Sequence, residues 1–547
     1  MIRVWAPHVA RVELDLDATS ERVALSKIDR HHHELVVDLP SGTDYWLRLD
    51  GGPRRADPRS AHQPEGSEGP SRVVDHAAFE WTDADWPGLC WPAVAIYEMH
   101  VGTFTPGGTF DSAVERLDHL VDLGVDTVEV MPVAEFPGRR GWGYDGVHLW
   151  APQSSYGGPE GLKRFVDAAH ARGLAVVLDV VYNHLGPAGN YLQEFGPYFT
   201  DRYSTPWGQA VNLDGPGSDG VRAHIVDNAA MWIRDFHIDG LRLDAVHAFL
   251  DTSATHLLEE LAAAVHQQGE QLNRSVAVIA ESDLNDPRLV RPVEEGGFGL
   301  DAAWSDDFHH AVHAALTAER DGYYEDFGSL ADIAAAWEES FVYAGRYSAH
   351  RDRRHGRAAG TVEPTRFVVS LQNHDQVGNR AKGDRIGEVL EPDRLRAGAA
   401  ITLLAPQVPL IFQGEEWAAS TPFPYFTDHT DPDLAEAVRN GRRSEFAAFG
   451  WKPEDVPDPQ ADGTFRSAIL DWDEIDREPH AGMLEWYRGL LARRRGLTGH
   501  SPSALSDDTA GRLALTREGL TIEVILGEPV YLRIEPPPAA LGRETPR

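Results

Sequence analysis

Eight short apolar segments, with the length and β-branched content of buried strands, alternate with amphipathic segments through the middle of the chain. The intervals carry apolar residues at helical spacing, as in 111–123 and 221–237. The strand candidates are 94–100, 125–131, 174–181, 241–246, 275–280, 300–304, 367–371 and 409–412. Eight strands joined by right-handed helical crossovers predict an α/β fold, a (β/α)8 TIM barrel. An open doubly wound sheet is the alternative, and the lack of a glycine-rich phosphate loop after the first strand weakens it.

Two β-rich regions flank this alternation. Residues 1–88 alternate between apolar and polar positions and predict an immunoglobulin-like β-sandwich. The barrel is expected over 89–480, with a long loop insertion at about 185–218, and loops of that length are usually functional. Residues 481–547 predict a C-terminal helix, a small β-sheet from Leu513 onward and a disordered tail.

The net charge disfavours some classes of binding partner, and the single cysteine bears on the cellular compartment. The net charge is −36, which disfavours nucleic acid and anionic membrane as partners. Cys90 is the only cysteine, so an internal disulfide cannot form, and a cytoplasmic location is expected. The first residues lack the pattern of a signal peptide, and no apolar run reaches the roughly 20 residues of a membrane span.

Charged residues follow four of the strand candidates. The third leads into 179–184, the fourth into 242–247, the fifth into Glu281 and the seventh into 373–375. In a barrel, the C-terminal ends of the strands share one rim, where active sites lie. For each strand end alone, a structural ion pair or cap explains the charges as well as a functional role does. Four charged ends on one rim are hard to explain as structure, because each buried charge costs several kcal/mol unless it is matched.

Arg242 and Asp244 lie two residues apart on one strand candidate, so their side chains point to the same face. The guanidinium is expected to keep the carboxylate charged, which makes Asp244 a candidate nucleophile. A structural ion pair is the alternative. Together with Glu281 and Asp375, these residues suggest displacement at a sugar acetal.

Other chemistries lack the residues they need. No cysteine lies at these strand ends to act as a nucleophile, and no Gly-x-Ser-x-Gly elbow occurs to carry a serine nucleophile. A metal site is the main rival, because Asp, Glu and His are also metal ligands. Arg242 beside Asp244 would compete with a metal ion, and no His-Glu-x-x-His pair occurs. We therefore expect no metal and no cofactor.

The charged strand ends resemble the short signature regions of the α-amylase superfamily of glycoside hydrolases. The matching segments are 179–184, 240–244, Glu281 and 373–375. The order of sandwich, barrel and C-terminal sheet is also similar to the layout of that superfamily. Further segments are similar to members that act on maltooligosyltrehalose, namely 139–147, 304–310, 372–380 and 414–423. Gln413, where methionine is expected, and the short C-terminal sheet depart from the pattern.

The resemblance implies a retaining glycoside hydrolase that cleaves the α-1,4 bond next to the terminal trehalose of maltooligosyltrehalose. Such an enzyme works downstream of one that forms the terminal linkage. The resemblance implies that Asp244 is the nucleophile, that Glu281 is the acid and base, and that Asp375 holds ring hydroxyls. Retention requires the carboxyl groups of Asp244 and Glu281 to be about 5–5.5 Å apart. A glucan branching enzyme and a non-catalytic glucan-binding protein are the alternatives.

Further substrate-binding candidates lie on the same rim. Asp283, Asp306 and His309 are expected to contact the leaving trehalose. The basic segment 346–357 is expected to form a mobile, solvated loop, and the resemblance adds the possibility that it borders the site. The remaining candidates are Tyr144, Asp145, His184, Trp207, Arg242, His247, His374 and Arg380.

Overall fold

A closed barrel of eight parallel strands forms the centre of the chain in a computed structural model. The structure describes all residues except Ser20, Val94, 448–451, 453–454, Thr498, His500, Glu528 and 536–547. The strands, numbered within the barrel, are β1 (Ile96–Met99), β2 (Thr127–Val130), β3 (Ala175–Val180), β4 (Gly240–Leu243), β5 (Ala277–Ala280), β6 (Ala302–Trp304), β7 (Phe367–Ser370) and β8 (Val408–Phe412). The predicted barrel and all eight predicted strands are thus confirmed, although Val94, the first residue of the first candidate, lies outside the described residues.

The interior of the barrel changes from apolar to charged along the strands. Side chains two residues apart share a face, so Ile96 and Glu98 of β1 both point inward. The lower interior is packed by residues such as Val177 and Ile279. The next inward position of β3 is Asp179, whose register partner on β4 is Arg242. Charged side chains therefore lie inside the barrel only near the C-terminal ends of the strands, and apolar side chains fill the barrel below them.

The barrel strands are separated by helices that pack around them. The predicted helix 111–123 is divided into Phe110–Val114 and Leu117–Leu123, and the first begins at a capping box formed by Thr109 and Ser112. The longer helices are Gly158–His170, Ser218–Phe236, Leu257–Leu272, Asp306–Thr317, Leu330–Glu339, Pro392–Leu403, Pro432–Ala447 and His480–Arg494. Shorter helices are Val101–Phe104, Leu192–Phe195, His374–Gly378, Ile386–Val389 and Asp462–Ser467.

Small antiparallel sheets flank the barrel on both sides in sequence. At the N-terminus, one sheet contains Ile2–Trp5, His32–Leu35 and Ser26–Lys27, and the other contains Arg22–Ala24, Val12–Leu16, Asp44–Leu49, Arg54–Arg55 and Ser71–Arg72. The C-terminal sheet has the strands Pro502–Asp507, Arg512–Arg517, Leu520–Ile525 and Tyr531–Glu535. The first strand of this sheet was not predicted, because its exposed polar residues obscure the alternation of apolar and polar positions. The predicted tail, from Pro536 onward, lies outside the described residues.

Two segments that the sequence predicts to be loops contain β-hairpins. The insertion after β3 includes Leu192–Phe195 and a hairpin of Phe199–Thr205 with Gly208–Val211. The basic segment forms a second hairpin, Ala344–Ser348 with Arg353–Gly356. Its turn is held by Asp326, whose carboxylate accepts a hydrogen bond from the backbone of Ala349 at 2.9 Å. The prediction of a loop for the basic segment is wrong because the carboxylate that holds its turn lies elsewhere in the chain.

A buried ionic cluster closes the N-terminal end of the barrel. The ring of His170 lies between Asp83 and Asp239, with both nitrogen–oxygen distances at 2.8 Å. Trp86 stacks on that ring and donates its indole N–H to Asp239 at 2.7 Å. Arg274 also pairs with Asp83 at 2.9 Å. We call these five residues the floor cluster.

Candidate active site

Arg242 organises the charged residues at the top of the barrel. Its side chain is 1% exposed, and its Nη1 lies 2.8 and 2.9 Å from the two oxygens of Asp179. The same nitrogen lies 3.0 Å from Oδ1 of Asp244. The guanidinium also lies over the ring of Trp304, 4.4 Å from its centroid. The predicted orientation of residues 242 and 244 toward one face therefore places a fixed cation beside the candidate nucleophile.

Asp244 is held at both carboxylate oxygens. Arg242 donates to Oδ1, and the amide nitrogen of Asn183 donates to Oδ2 at 2.6 Å. Asn183 also donates to the backbone carbonyl of Asp244 at 2.9 Å. These bonds fix the plane of a carboxylate that is still 12% exposed at its side chain.

The backbone after Asp244 connects it directly to Glu281. Ala245 adopts a left-handed conformation with φ of 42°, which a non-glycine residue adopts rarely. This turn aims its backbone N–H at Oε2 of Glu281, at 2.5 Å. Nη2 of Arg242 lies 3.7 Å from the same oxygen. The two carboxyl groups are therefore fixed to the same turn.

The surroundings of Glu281 favour its protonated form. Burial, opposed by Arg242 and reinforced by the carboxylates of Asp244, Asp306 and Asp375, raises the pKa of Glu281 to about 8. A glutamate with such a pKa carries a proton near neutral pH and can act as a general acid.

Asp375 completes the set of three carboxylates. It lies in the first turn of the helix His374–Gly378, and Asn373 caps that turn by accepting a hydrogen bond from the backbone of Asp375 at 3.0 Å. Its side chain is 49% exposed, so its carboxylate faces open space. Nε2 of His374 lies 3.7 Å from Oδ1 of Asp375.

Tyr144 connects two of the strand ends. Its hydroxyl oxygen lies 2.6 Å from Oδ2 of Asp179 and 2.8 Å from Nε2 of His374. Its ring stacks on the imidazole of His374 at 5.2 Å between centroids. His374 is also held by Glu98 of β1, which accepts hydrogen bonds from its backbone and its ring.

Several predicted binding residues lie beside this network, on the side of the long insertion. The ring of His184 bonds to the backbone carbonyl of Tyr144 at 3.0 Å, and Trp207 stacks on it at 4.9 Å. Trp207 is 49% exposed. Burial raises the pKa of Asp145. His247 lies on the short turn after Asp244 and is exposed.

A cleft of about 270 Å³ opens beside Glu281 and Asp375. Asp283 lies on its wall and pairs with Arg351 of the basic hairpin at 3.0 Å. Burial and the neighbouring carboxylates of Asp375, Asp283 and Asp307 raise the pKa of Asp306 to about 7. The other lining residues are Trp304, His310, Tyr323, His350, Gln376 and Asn379. The basic hairpin therefore borders the site, as the resemblance suggested.

Two predicted binding residues lie neither on this cleft nor in the network around Tyr144. His309 is buried, and its ring nitrogens bond to the carbonyl of Leu371 at 2.7 Å and to the hydroxyl of Tyr324 at 2.9 Å. The adjacent residue His310 lines the cleft instead. Arg380 pairs with Glu319 and Asp384, at 3.0 and 2.5 Å. The structure thus gives His309 and Arg380 packing partners rather than positions in the cleft.

Sequence analysis assigned no individual role in the reaction to Glu98 and Asn183, which hold side chains of the site. It also assigned none to His310 and Arg351, which line the cleft. Glu98 could have been recognised as a charge in the otherwise apolar β1.

Within the described residues, no group of three or more His, Cys, Asp and Glu side chains could hold a metal ion. Among those residues, no helix combines the length and the apolar content needed to cross a membrane.

Comparison with known proteins places this site in a family. The model of the α-amylase catalytic domain matches residues 70–204. A malto-oligosyltrehalose trehalohydrolase from Arthrobacter ramosus is 50% identical over 529 residues, which cover 96% of this chain and 92% of that protein. A protein of the same name from Mycobacterium tuberculosis (strain H37Rv) is 48% identical over 511 residues, with 92% and 87% covered.

One solved structure is similar over nearly the whole chain. It is a crystal structure from Salmonella typhimurium, named as a candidate α-amylase, with a TM-score of 0.87 and 38% sequence identity. The alignment covers 96% of this chain and 90% of that one. The similarity therefore extends beyond the barrel to both flanking regions.

Proposed function

Because the chain belongs to the malto-oligosyltrehalose trehalohydrolase family of the α-amylase superfamily, we propose that it hydrolyses maltooligosyltrehalose. The bond cleaved is the α-1,4-glucosidic bond next to the terminal trehalose unit. The products are trehalose and a maltooligosaccharide. The chain is thus a glycoside hydrolase that forms trehalose from α-glucans.

The reaction proceeds in two displacements at the anomeric carbon. Asp244 attacks that carbon while Glu281 gives its proton to the glycosidic oxygen, so the bond to trehalose breaks and trehalose leaves with a hydroxyl group. Glu281 then takes a proton from water, whose oxygen attacks the same carbon and releases Asp244. The first step needs a charged Asp244 and a protonated Glu281.

The observation that carries this assignment is the shared turn at residue 245. Ala245 donates its N–H to Glu281, and Arg242 faces the carboxyl groups of both Asp244 and Glu281. Asp244 accepts hydrogen bonds at both carboxylate oxygens, one from the Arg242 cation and one from Asn183. Burial favours the neutral form of Glu281. The two carboxyl groups thus have the opposite surroundings that the two roles require.

The sugar whose bond is broken binds above Tyr144. Asp375, half exposed and beside the cleft, holds ring hydroxyls and favours the distorted, oxocarbenium-like ring. His184 and His374 lie next to Tyr144 and form the same sugar-facing surface. Trp207 extends this surface on the side of the insertion. Sugars present apolar faces that stack on such aromatic rings.

The leaving trehalose binds in the cleft next to Glu281. Asp283 and Asp306 offer carboxylate oxygens to its hydroxyls, and His310 and Arg351 offer nitrogen donors. Of the three residues predicted from the sequence, Asp283 and Asp306 keep this role, and His310 replaces His309. Trehalose soaked into crystals should contact these side chains, and electron density only elsewhere would contradict the placement.

A direct assay separates this function from that of a glucan branching enzyme. Purified enzyme is incubated with maltooligosyltrehalose, and released trehalose is compared with the glucose and maltose released from a maltooligosaccharide of equal length. We expect trehalose from the first substrate and little cleavage of the second, and the variant Asp244→Asn should release neither. Branch points made in amylose, without trehalose release, would instead support the branching enzyme.

The substrate is supplied by an enzyme that forms the terminal α-1,1 linkage on a maltooligosaccharide. We propose that both act in the cytoplasm. The single cysteine, Cys90, supports this compartment, because it leaves no internal disulfide to be reduced.

A further inference from the structure

A buried chain of hydrogen bonds crosses the top of the barrel below the sugar site. His374 is 1% exposed, and its two ring nitrogens have different partners. Nδ1 lies 2.5 Å from Oε1 of Glu98, and Nε2 lies 2.8 Å from the hydroxyl of Tyr144. Oε2 of Glu98 accepts the backbone N–H of His374 at 2.9 Å. Glu98 therefore holds both the ring and the backbone of His374.

The position of the hydroxyl proton of Tyr144 follows from the contacts of Asp179. Oδ2 of Asp179 lies 2.8 Å from Arg242 Nη1 and 2.6 Å from the hydroxyl of Tyr144. Oδ1 also accepts from Arg242, at 2.9 Å, so both oxygens act as acceptors and the group is a carboxylate. Burial raises the pKa of Asp179 to about 6, which leaves it ionised near neutral pH. Tyr144 therefore donates its one proton to Asp179 and must accept a proton from His374.

The remaining ring nitrogen of His374 faces a carboxylate. Since Nε2 carries a proton toward Tyr144, a hydrogen on Nδ1 makes the ring an imidazolium. We propose that Glu98 keeps His374 doubly protonated, and that this buried cation holds Tyr144 and Asp375 in position for the reaction. Burial disfavours the charged ring, but the Glu98 carboxylate outweighs it and raises the pKa of His374 to about 9.

The charges around His374 agree with an imidazolium. Glu129 of β2 is fully buried, and within the described residues neither of its carboxyl oxygens has a hydrogen-bond partner. Burial and the nearby Glu98 raise its pKa, so Glu129 is neutral. Titratable and charged groups near His374 are Glu98 on β1, His100 after β1, Glu129 on β2, Tyr144 after β2, Asp179 on β3, Arg242 on β4 and Asp375 on its own helix. A neutral ring would leave Arg242 as the one cation among these groups.

The imidazolium affects the reaction through the residues it holds. It gives Tyr144 a charged donor, which makes a stronger hydrogen bond than a neutral imidazole does. It also places a positive charge 3.7 Å from Asp375 Oδ1, and this attraction restrains the Asp375 carboxylate beside the sugar site. Glu98 is buried below this layer, so it is a positioning residue that acts through His374.

The protonation state can be measured without any substrate. The enzyme is labelled with ¹⁵N-histidine, and the His374 signals are assigned by their loss in His374→Asn. In the wild type, we expect both ring nitrogens to carry protons near neutral pH. In Glu98→Gln, the side-chain amide can donate to Nδ1 while its oxygen accepts the backbone N–H, so the geometry is kept and one ring proton is lost. A neutral wild-type ring, or a ring still doubly protonated in Glu98→Gln, would overturn the proposal.

Turnover tests the positioning role separately. Replacing a charge-assisted hydrogen bond with a neutral one should lower kcat of Glu98→Gln about tenfold, with KM nearly unchanged. Glu129→Gln is the matched control, because it exchanges one neutral buried group for another and should leave kcat and the His374 signals unchanged. Wild-type turnover in Glu98→Gln would refute the positioning role. If Glu98→Gln does not fold, neutron diffraction of wild-type crystals decides the protonation state by locating the ring deuterons.

Discussion

The raised pKa of Glu281 makes a quantitative prediction about the pH dependence of the reaction. The general acid must be protonated before the glycosidic bond can break, so activity is present below the pKa of Glu281 and lost above it. With a pKa of about 8, roughly nine-tenths of the enzyme carries this proton at about pH 7. A glutamate with an ordinary pKa would be only about 0.2% protonated at that pH. The surroundings of Glu281 therefore raise the active fraction several hundredfold.

The assay is the initial rate of trehalose release at low substrate concentration, measured across the neutral and alkaline range. Since kcat/KM reports ionisations of the free enzyme, its alkaline decline should have a midpoint near the raised pKa of Glu281, about 8. Above that midpoint, kcat/KM should fall about tenfold for each pH unit. A decline that already begins near about pH 5 would refute the assignment of Glu281 as an acid with a raised pKa.

A substitution tests the cause of the raised pKa. The Asp306 carboxylate is one of the groups that raise the pKa of Glu281. Asp306→Asn removes that charge and should move the alkaline midpoint toward lower pH by roughly one pH unit. Asp286→Asn is the control, because Asp286 lies on the connection between β5 and β6 that also carries Glu281, and its carboxylate pairs with Arg288 at 2.5 Å. An unchanged midpoint in Asp306→Asn, or an equal shift in both variants, would show that the electrostatic reasoning is wrong.

Three further predictions follow from the site and the floor cluster. Glu281→Gln should lose about 10²–10⁴ in turnover and still bind substrate in calorimetry, and turnover near the wild-type rate would mean that another residue is the acid. Proton NMR during hydrolysis should detect the α-anomer of the new reducing end first, since retention is expected at about 5–5.5 Å between the carboxyl groups of Asp244 and Glu281, and an initial β-anomer would indicate inversion. His170→Asn should lower the free energy of unfolding by about 3–5 kcal/mol, because Asp83 and Asp239 lose the group that separates them. Burial disfavours the charged ring of His170, but its hydrogen bonds to the two carboxylates outweigh burial and raise its pKa. That contribution is full below the unfolded pKa of about 6.5 and declines as pH rises through the folded pKa, so denaturant titrations should give a larger difference at about pH 6 than at about pH 9.

The sequence is sufficient to predict the barrel because its strands are buried on both faces. Such strands appear as nearly continuous apolar runs, and eight of them recur with helices between. The pairing of Arg242 with Asp244 is also predictable, since it depends only on the two-residue period of a strand. Both features are local, and a local pattern can be recognised without knowing the neighbouring strands.

Contacts between distant segments could not be predicted in the same way. The clamp of Glu98 on His374 joins β1 to the end of β7, and the register between those strands is not encoded in either segment alone. His309 and His310 are adjacent on one helix, where successive side chains point about 100° apart, and the sequence does not give the rotation of the helix. The basic hairpin was predicted to be a loop because Asp326, which holds its turn, lies some twenty residues earlier in the chain.

The floor cluster has a practical consequence for anyone who wishes to isolate the catalytic barrel. Asp83 precedes the predicted boundary at residue 88, yet its carboxylate bonds to His170 and Arg274. A protein that begins at residue 89 would lack Asp83, so the side chains of His170 and Arg274 would lose this buried partner beneath the strands. A shortened enzyme should therefore begin ahead of Thr82, whose backbone is itself bonded to the helix Gly158–His170 through Asp167 at 2.7 Å.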